Sequence, residues 1–204
     1  MFDCLIIGGG VSGVSCALVL GSARKKTFVA DKKIGIIAHQ KSSMLQDALF
    51  NNAYGLAPGT LGSDLLHQTL NNLSFLYPEI VQIGNEKVVS IIKQGAHFLV
   101  TTNENIYETK LIVVAINSSN PFTIDGFLQS YVISHQKSLP HKNRLQLQNT
   151  DHLVVENVYV AGTLAGHRSQ LAIAAGSGAA VATDILTLWN NGVETHAHDS
   201  VKKA

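Results

Sequence analysis

The amino-acid sequence predicts an α/β fold built on a parallel sheet, and three observations carry that expectation. A short apolar run, Phe2 to Ile7, stops at Gly8-Gly9-Gly10 and passes directly into a small-residue helical pattern from about Ser12 to Leu20. A second glycine-ended run, Val158-Tyr159-Val160-Ala161-Gly162, precedes a long alanine-rich helical stretch from about Gln170 to Trp189. Between them, Lys87 to Lys93, Ala96 to Thr102 and Asn105 to Thr109 read as strands joined by short polar turns. They make a small antiparallel meander that returns to a buried strand at Leu111 to Ala115.

The remaining elements follow in order. The apolar run Thr27 to Ala30 ends at Asp31, which would complete a β-α-β unit with a carboxylate at the tip of its second strand. Ser63 is placed to cap a helix whose apolar face is Leu65, Leu66, Leu70, Leu73 and Leu76. From Asn117 to Glu156 the pattern weakens to polar clusters, two of the four prolines and three histidines, which reads as an irregular crossover with one or two short strands. Residues 1–190 are therefore expected to form a single domain, with a loose polar tail over 191–204.

Composition narrows the classes of partner. In 204 residues, 46% hydrophobic and 14% charged, there is material for one buried core. A net charge of +1 without a basic stripe supplies no field for nucleic acid or anionic lipid, so neither is expected as a partner. The first residues lack the basic flank and apolar length of a signal peptide, and no later apolar run reads as long enough to span a bilayer; a cytoplasmic protein is expected. The two cysteines, Cys4 and Cys16, form no CxxC pair and read as buried packing residues. Nine histidines occur, but His196 with His198 and His135 with His141 have no partners at ligand spacing, so no metal site is expected.

Gly8, Gly10 and Gly13 stand in the GxGxxG spacing of a dinucleotide-binding, Rossmann-like turn: a tight bend, close approach to a pyrophosphate, and close packing of helix on strand. Val11 and Ser12 open the helix whose free N–H groups and dipole would face the phosphates. Asp31, about twenty residues on, is spaced to accept hydrogen bonds from a ribose 2′-hydroxyl and to repel a 2′-phosphate, which fits FAD or NAD and excludes NADP.

The segments Asn52-Ala53-Tyr54-Gly55, Gly62-Ser63-Asp64-Leu65, Lys110 to Ala115, Val158 to Gly162 and Gln170 to Gly178 resemble, in the same order, the FAD domain of thioredoxin reductases. The resemblance implies a three-layer FAD/NAD(P)-binding fold with FAD extended across the carboxyl ends of the strands. It implies contacts to the cofactor from Lys32, Val88 and Ala115, with Gly162, Thr163, Gln170 and Leu171 lining the flavin. A homodimer is implied as well. His167 and Arg168, between Gly162 and Gln170, are the candidate catalytic residues, one as a proton shuttle and the other as a stabiliser of negative charge on reduced flavin.

Departures from the family are equally informative. About forty irregular residues stand where thioredoxin reductases carry an NADPH domain with its redox CxxC, so the family's dithiol route is closed. Thr163 replaces an acidic residue and Asn117 a glycine. The expected activity is thus a flavin-dependent oxidoreductase supplied by NAD(P)H or by a separate electron-donor protein. Two readings compete with it: a non-catalytic FAD-binding module or subunit of a larger redox complex, and an NAD-binding enzyme that uses the first fingerprint alone.

Overall fold

Strand β1 (Cys4–Ile7) is buried on both faces, and that double burial fixes the layering. Cys4 and Ile6 face a layer of helices, whereas Leu5 and Ile7 face the opposite side. On β9 (Ile112–Val114) the alternation recurs, with Val113 on the helical side and Ile112 and Val114 on the other. In the computed structural model, which describes residues 1–39 and 45–198, both strands belong to a six-stranded sheet. From edge to edge it runs β13 (Leu153–Val155), β14 (Val158–Val160), β9, β1, β2 (Ile34–Ala38) and β5 (Val81–Gly84). Every neighbouring pair is parallel except β13 with β14.

Helices α1 (Val11–Ser22), α2 (Gly62–Leu76) and α3 (Leu171–Trp189) form one outer layer. The other is the antiparallel meander β6 (Val88–Gln94), β7 (His97–Thr102) and β8 (Ile106–Thr109), where Ile91, Phe98 and Val100 pack under the parallel sheet. The result is the three-layer α/β arrangement expected from the sequence. Cys4 and Cys16 are fully buried, and burial raises both thiols well above their ordinary values. Contrary to expectation, one helix among the described residues is long and apolar enough to cross a membrane: α3 itself. Its Val181, Ala182, Ile185 and Leu186 are buried in the helical-side core.

Three local expectations are corrected. The second strand is Ile34–Ala38, not Thr27 to Ala30; the latter residues close successive turns through Val29 N–H to Lys26 O at 2.9 Å and Lys32 N–H to Val29 O at 2.9 Å. Gly35 lies inside this strand, where a Cβ would meet the Phe2 ring at 2.6 Å. Ser63 is not a cap: α2 begins one residue earlier, with Leu61 at the cap position and no side-chain cap bond. A short hairpin of β3 (Leu49–Phe50) with β4 (Thr60–Leu61) delivers the chain to that start. The crossover holds four short strands rather than one or two. Besides β13 these are β10 (Asp125–Gly126), paired with β6, and the hairpin of β11 (Val132–Ser134) with β12 (Leu145–Leu147).

Beneath the end of β14 the crossover contributes a histidine cluster. His152 Nε2 lies 2.9 Å from His167 Nε2 and 3.1 Å from Ser177 Oγ, which accepts the Gly162 N–H at 2.8 Å. Lys137 N–H donates to His135 Nδ1 at 3.2 Å, leaving His135 Nε2–H to donate to the His167 carbonyl at 3.3 Å. Burial lowers the pKa of His152, against the pull of Asp151. It also lowers that of His167, with repulsion from His152, Lys137 and His135 in the same direction. A single shared hydrogen bond between the two rings requires one donor and one acceptor, as the neutral pair provides.

Two predictions follow from this packing. A Cβ at Gly178 would run into the Ser12 backbone carbonyl on α1, whereas one at Gly176 would meet nothing within 4 Å. Gly178→Ala should therefore cost roughly 1–3 kcal/mol in urea unfolding, while Gly176→Ala should be neutral or stabilising by up to about 1 kcal/mol through helix propensity. Equal effects would contradict the α1–α3 contact. For the histidines, the unfolded chain binds protons that the folded pair refuses, so stability is full above about pH 6.5 and declines as pH falls toward the lowered folded values. Melts at pH 7.5 and 5.5 should show a smaller acid loss for His167→Gln than for the native chain.

Candidate functional site

β1, β9 and β14 are parallel and adjacent, so their carboxyl ends lie along one edge of the sheet. From β1 the order runs through β2 and β5 on one side and through β9 and β14 on the other, which makes the β1/β9 boundary the topological switch point. Two helices start along this edge. β1 leads through the glycines into α1, and β14 leads through a short 3₁₀ turn, Gly162–Ala165, into α3. Neither start has a side-chain cap bond, and neither first turn carries an acidic residue. The leading N–H groups of both helices are thus left to a ligand.

The glycines divide the mechanical work. A Cβ at Gly8 would collide with the Ala115 carbonyl on the neighbouring strand end, and one at Gly13 with the Gly8 carbonyl. Gly10 faces open space, which leaves room for a ligand to reach the backbone. In front of it lies a cleft of about 610 Å³, within the usual size of a ligand site. Its middle is Gly8 to Ser12; one end is formed by His39, Phe50, Lys87 and Val88, and the other by Asn117, Thr163, Gln170 and Leu171. Glu86 also lines the cleft, but its carboxylate accepts hydrogen bonds from Thr102 Oγ1 at 2.6 Å, Tyr107 OH at 2.7 Å and Asn105 Nδ2 at 2.9 Å. The hydrogen bond from Thr102 foremost holds its pKa below the usual value, burial opposes it, and the weaker contributions of Tyr107 and Asn105 add to the lowering.

Of the residues singled out in the sequence, Gly8, Gly10, Val11, Ser12, Val88, Ala115, Thr163, Gln170 and Leu171 come together on this cleft. Gly13 and Gly162 sit just behind it: a Cβ on Gly162 would strike the Ser12 hydroxyl. Four others are elsewhere. Asp31 and Lys32 precede β2, and the register Cys4↔Ile34 puts them at the amino end of the sheet, beyond roughly 13 Å of strand from the glycine turn. Asp31 is exposed there, and the Lys32 ammonium lies 5.5 Å from the centre of the Trp189 ring. His167 faces His152 because the chain reverses at Gly166, a left-handed residue with φ +87° that ends the 3₁₀ turn. Arg168 is exposed and does not line the cleft.

Cleft residues that the sequence did not single out include His39, Phe50, Glu86, Lys87 and, in the crossover, Ser119 and Pro121 to Ile124. For His39 a signal existed: the run Ile34-Gly35-Ile36-Ile37 is more apolar than Thr27 to Ala30 and ends beside it. Ser119 to Ile124 gave none, because its position depends on β10 pairing with β6 far along the chain.

Known proteins agree with this geometry. The family model described as pyridine nucleotide-disulphide oxidoreductase matches residues 2–173. Ferredoxin–NADP reductase 2 of Shouchella clausii (strain KSM-K16) is 31% identical over 115 residues, 56% of this chain and 34% of its own length. The uncharacterized oxidoreductase CzcO of Bacillus subtilis (strain 168) is 26% identical over 172 residues, 79% of this chain and 48% of its own. The chain thus spans between a third and a half of the curated relatives it matches. Among solved structures, a thioredoxin reductase from Gloeobacter violaceus superposes with TM-score 0.73 at 13% identity, covering 98% of this chain and 99% of that one. A ferredoxin-flavin thioredoxin reductase from Clostridium acetobutylicum gives 0.65 at 16% identity, covering 93% and 98%. With the fold, the glycine turn and the family match in agreement, this chain belongs to the pyridine nucleotide-disulphide oxidoreductase family.

Proposed function

We propose that the chain is a flavin-dependent oxidoreductase that binds one FAD in the cleft and receives electrons from NAD(P)H or from a docking donor protein. The observation that carries this reading is the convergence of two helix starts, uncapped by side chains and free of acidic first-turn residues, on one cleft at the switch point. The residues present fit the group. Val11, Ser12 and Gly13 offer N–H groups to a pyrophosphate that Gly10 lets approach. At the other end Thr163 and Gln170 offer side-chain hydrogen bonds, and the start of α3 favours negative charge. Bound FAD would supply hydride and electron transfer. The chain's own thiols take no part, since both are buried and held protonated.

One observation favours a second reading, a non-catalytic FAD-binding module. Thr163, Ser169, Gln170, Leu171, Ala174 and Asn117 at the α3 end of the cleft include no titratable side chain, so proton delivery there falls to solvent or substrate.

The visible spectrum of the purified protein separates these readings. Flavin bands that bleach on anaerobic NADH or NADPH are expected; bands that bleach only with dithionite would leave the module, and a colourless protein that takes up no FAD would remove both. Gly10→Val tests the cleft directly. With φ −80° and open space around it, valine fits the fold but fills the phosphate approach. FAD uptake should fall by about tenfold or more, with the melting temperature of the apoprotein unchanged.

A further inference from the structure

We propose that the crossover hairpin and the loop before α3 form a docking surface, at the α3 end of the cleft, for an acidic protein that carries single electrons. The proposal rests on that cleft holding FAD. The even balance of the whole chain, fifteen Lys and Arg against fourteen Asp and Glu, conceals a separation of charge. Residues 126–150 and 157–183 together carry Lys137, Lys142, Arg144 and Arg168 and no aspartate or glutamate. Lys137, Lys142 and Arg168 are exposed, and Arg144 is half-buried. None of the four side chains has a hydrogen-bond or ion-pair partner among the described residues, and the acids that bound these stretches, Asp125, Asp151, Glu156 and Asp184, pair with none of them. Their charge is left to a partner from outside.

The fold gathers these cations on one rim. β11 and β12 pair so that the His135 N–H donates to the Arg144 carbonyl at 2.9 Å, and a 3₁₀ turn, Pro140–Lys142, lies in the loop between them. Two bonds hold this hairpin beside the cleft: Leu145 N–H donates to the Ser118 carbonyl at 2.9 Å and Asn120 Nδ2 to Asn143 Oδ1 at 3.0 Å, and Asn117, Ser119 and Pro121 line the cleft. Arg168 immediately precedes the cleft residues Ser169 and Gln170, and Lys137 is near enough to His167 to repel its protonated form. Among the cations, Leu139, 59% exposed, and the exposed Pro140 present an apolar centre. An apolar centre ringed by like charges suits a protein face of opposite sign. Nucleic acid is less well served, since neither stretch exposes a Phe, Tyr or Trp on which bases could stack. The place of this rim, at the end of the cleft where Thr163 and Gln170 would meet the flavin, favours a partner that delivers electrons. Each reduced carrier gives up one electron, so two carriers are oxidised, with two protons drawn from solvent, for every FAD reduced to FADH2.

Calorimetric titration of the FAD-loaded chain with an oxidised, acidic iron–sulfur carrier protein tests this. Binding should weaken by about tenfold or more in the Lys137→Glu/Lys142→Glu double variant, and should fall as salt is raised from about 0.05 to about 0.5 M, with the melting temperature and FAD content of the variant unchanged. Anaerobic mixing with the reduced carrier should bleach the flavin bands of the native protein and do so about tenfold more slowly in the variant, while dithionite bleaches both alike. No binding of the carrier, equal binding by native protein and variant, or tighter binding of a single-stranded oligonucleotide than of the carrier overturns the proposal. Bands that dithionite bleaches and the carrier does not sink this inference alone, whereas a colourless protein that takes up no FAD sinks the flavin reading beneath it.

Discussion

The approach of backbone to backbone around α1 is the constraint on which the site depends. Gly8 sits against the Ala115 carbonyl, Gly13 against the Gly8 carbonyl and Gly178 of α3 against the Ser12 carbonyl. Each contact excludes a Cβ, so strand, turn and two helices are drawn closer than side chains would allow. The consequence is electrostatic as much as steric. Because α3 lies tight on α1, both helix starts reach one cleft, and the partial positive charge at each acts on the same volume.

Much of this was legible in the sequence because the signals were local. The glycine turn, the meander, β9, β14 and α3 follow from short-range periodicity and turn residues, and they reappear within a residue or two of where the pattern puts them. The errors arise where distant contacts decide. Thr27 to Ala30 is β-prone, yet Ile34–Ala38 becomes the strand because it sits beside β1, where Phe2 packs over Gly35 in place of a side chain. That shift carries Asp31 away from the site and puts His39 into it. His167 is adjacent to the correct segment, but Gly166 and the attraction of His152, fifteen residues upstream, turn it inward. No spacing rule reaches across such a pair.

The cleft that results is asymmetric in charge. Its β2 and β5 end bears a histidine, a lysine and a glutamate whose oxygens are held by the meander. Its α3 end has no ionisable side chain among the described residues and relies on helix N–H groups and neutral hydrogen-bonding chains. Placing fixed dipoles rather than mobile charges at that end has a physical merit: they need no counter-ion, do not titrate, and require little reorganisation as a bound group gains an electron pair.

The crossover bears on both ends. Ser119 to Ile124 forms one wall of the cleft, and Ile124, Leu128 and Leu147 from the same segment are buried in the core beneath the sheet with Phe98. Its β10 continues the meander by pairing with β6, the strand that begins at Val88 on the cleft wall. A stretch that reads as a bare connector therefore ties the cleft wall to the hydrophobic core. Loss of packing at Leu128 would be transmitted to the site through the same segment, so that stability and ligand binding are coupled here by shared residues. The histidine cluster makes a parallel link on the other side: it joins His135 and His152 of the crossover to Gly162 and Ser177, and so positions the turn from which α3 is launched toward the cleft.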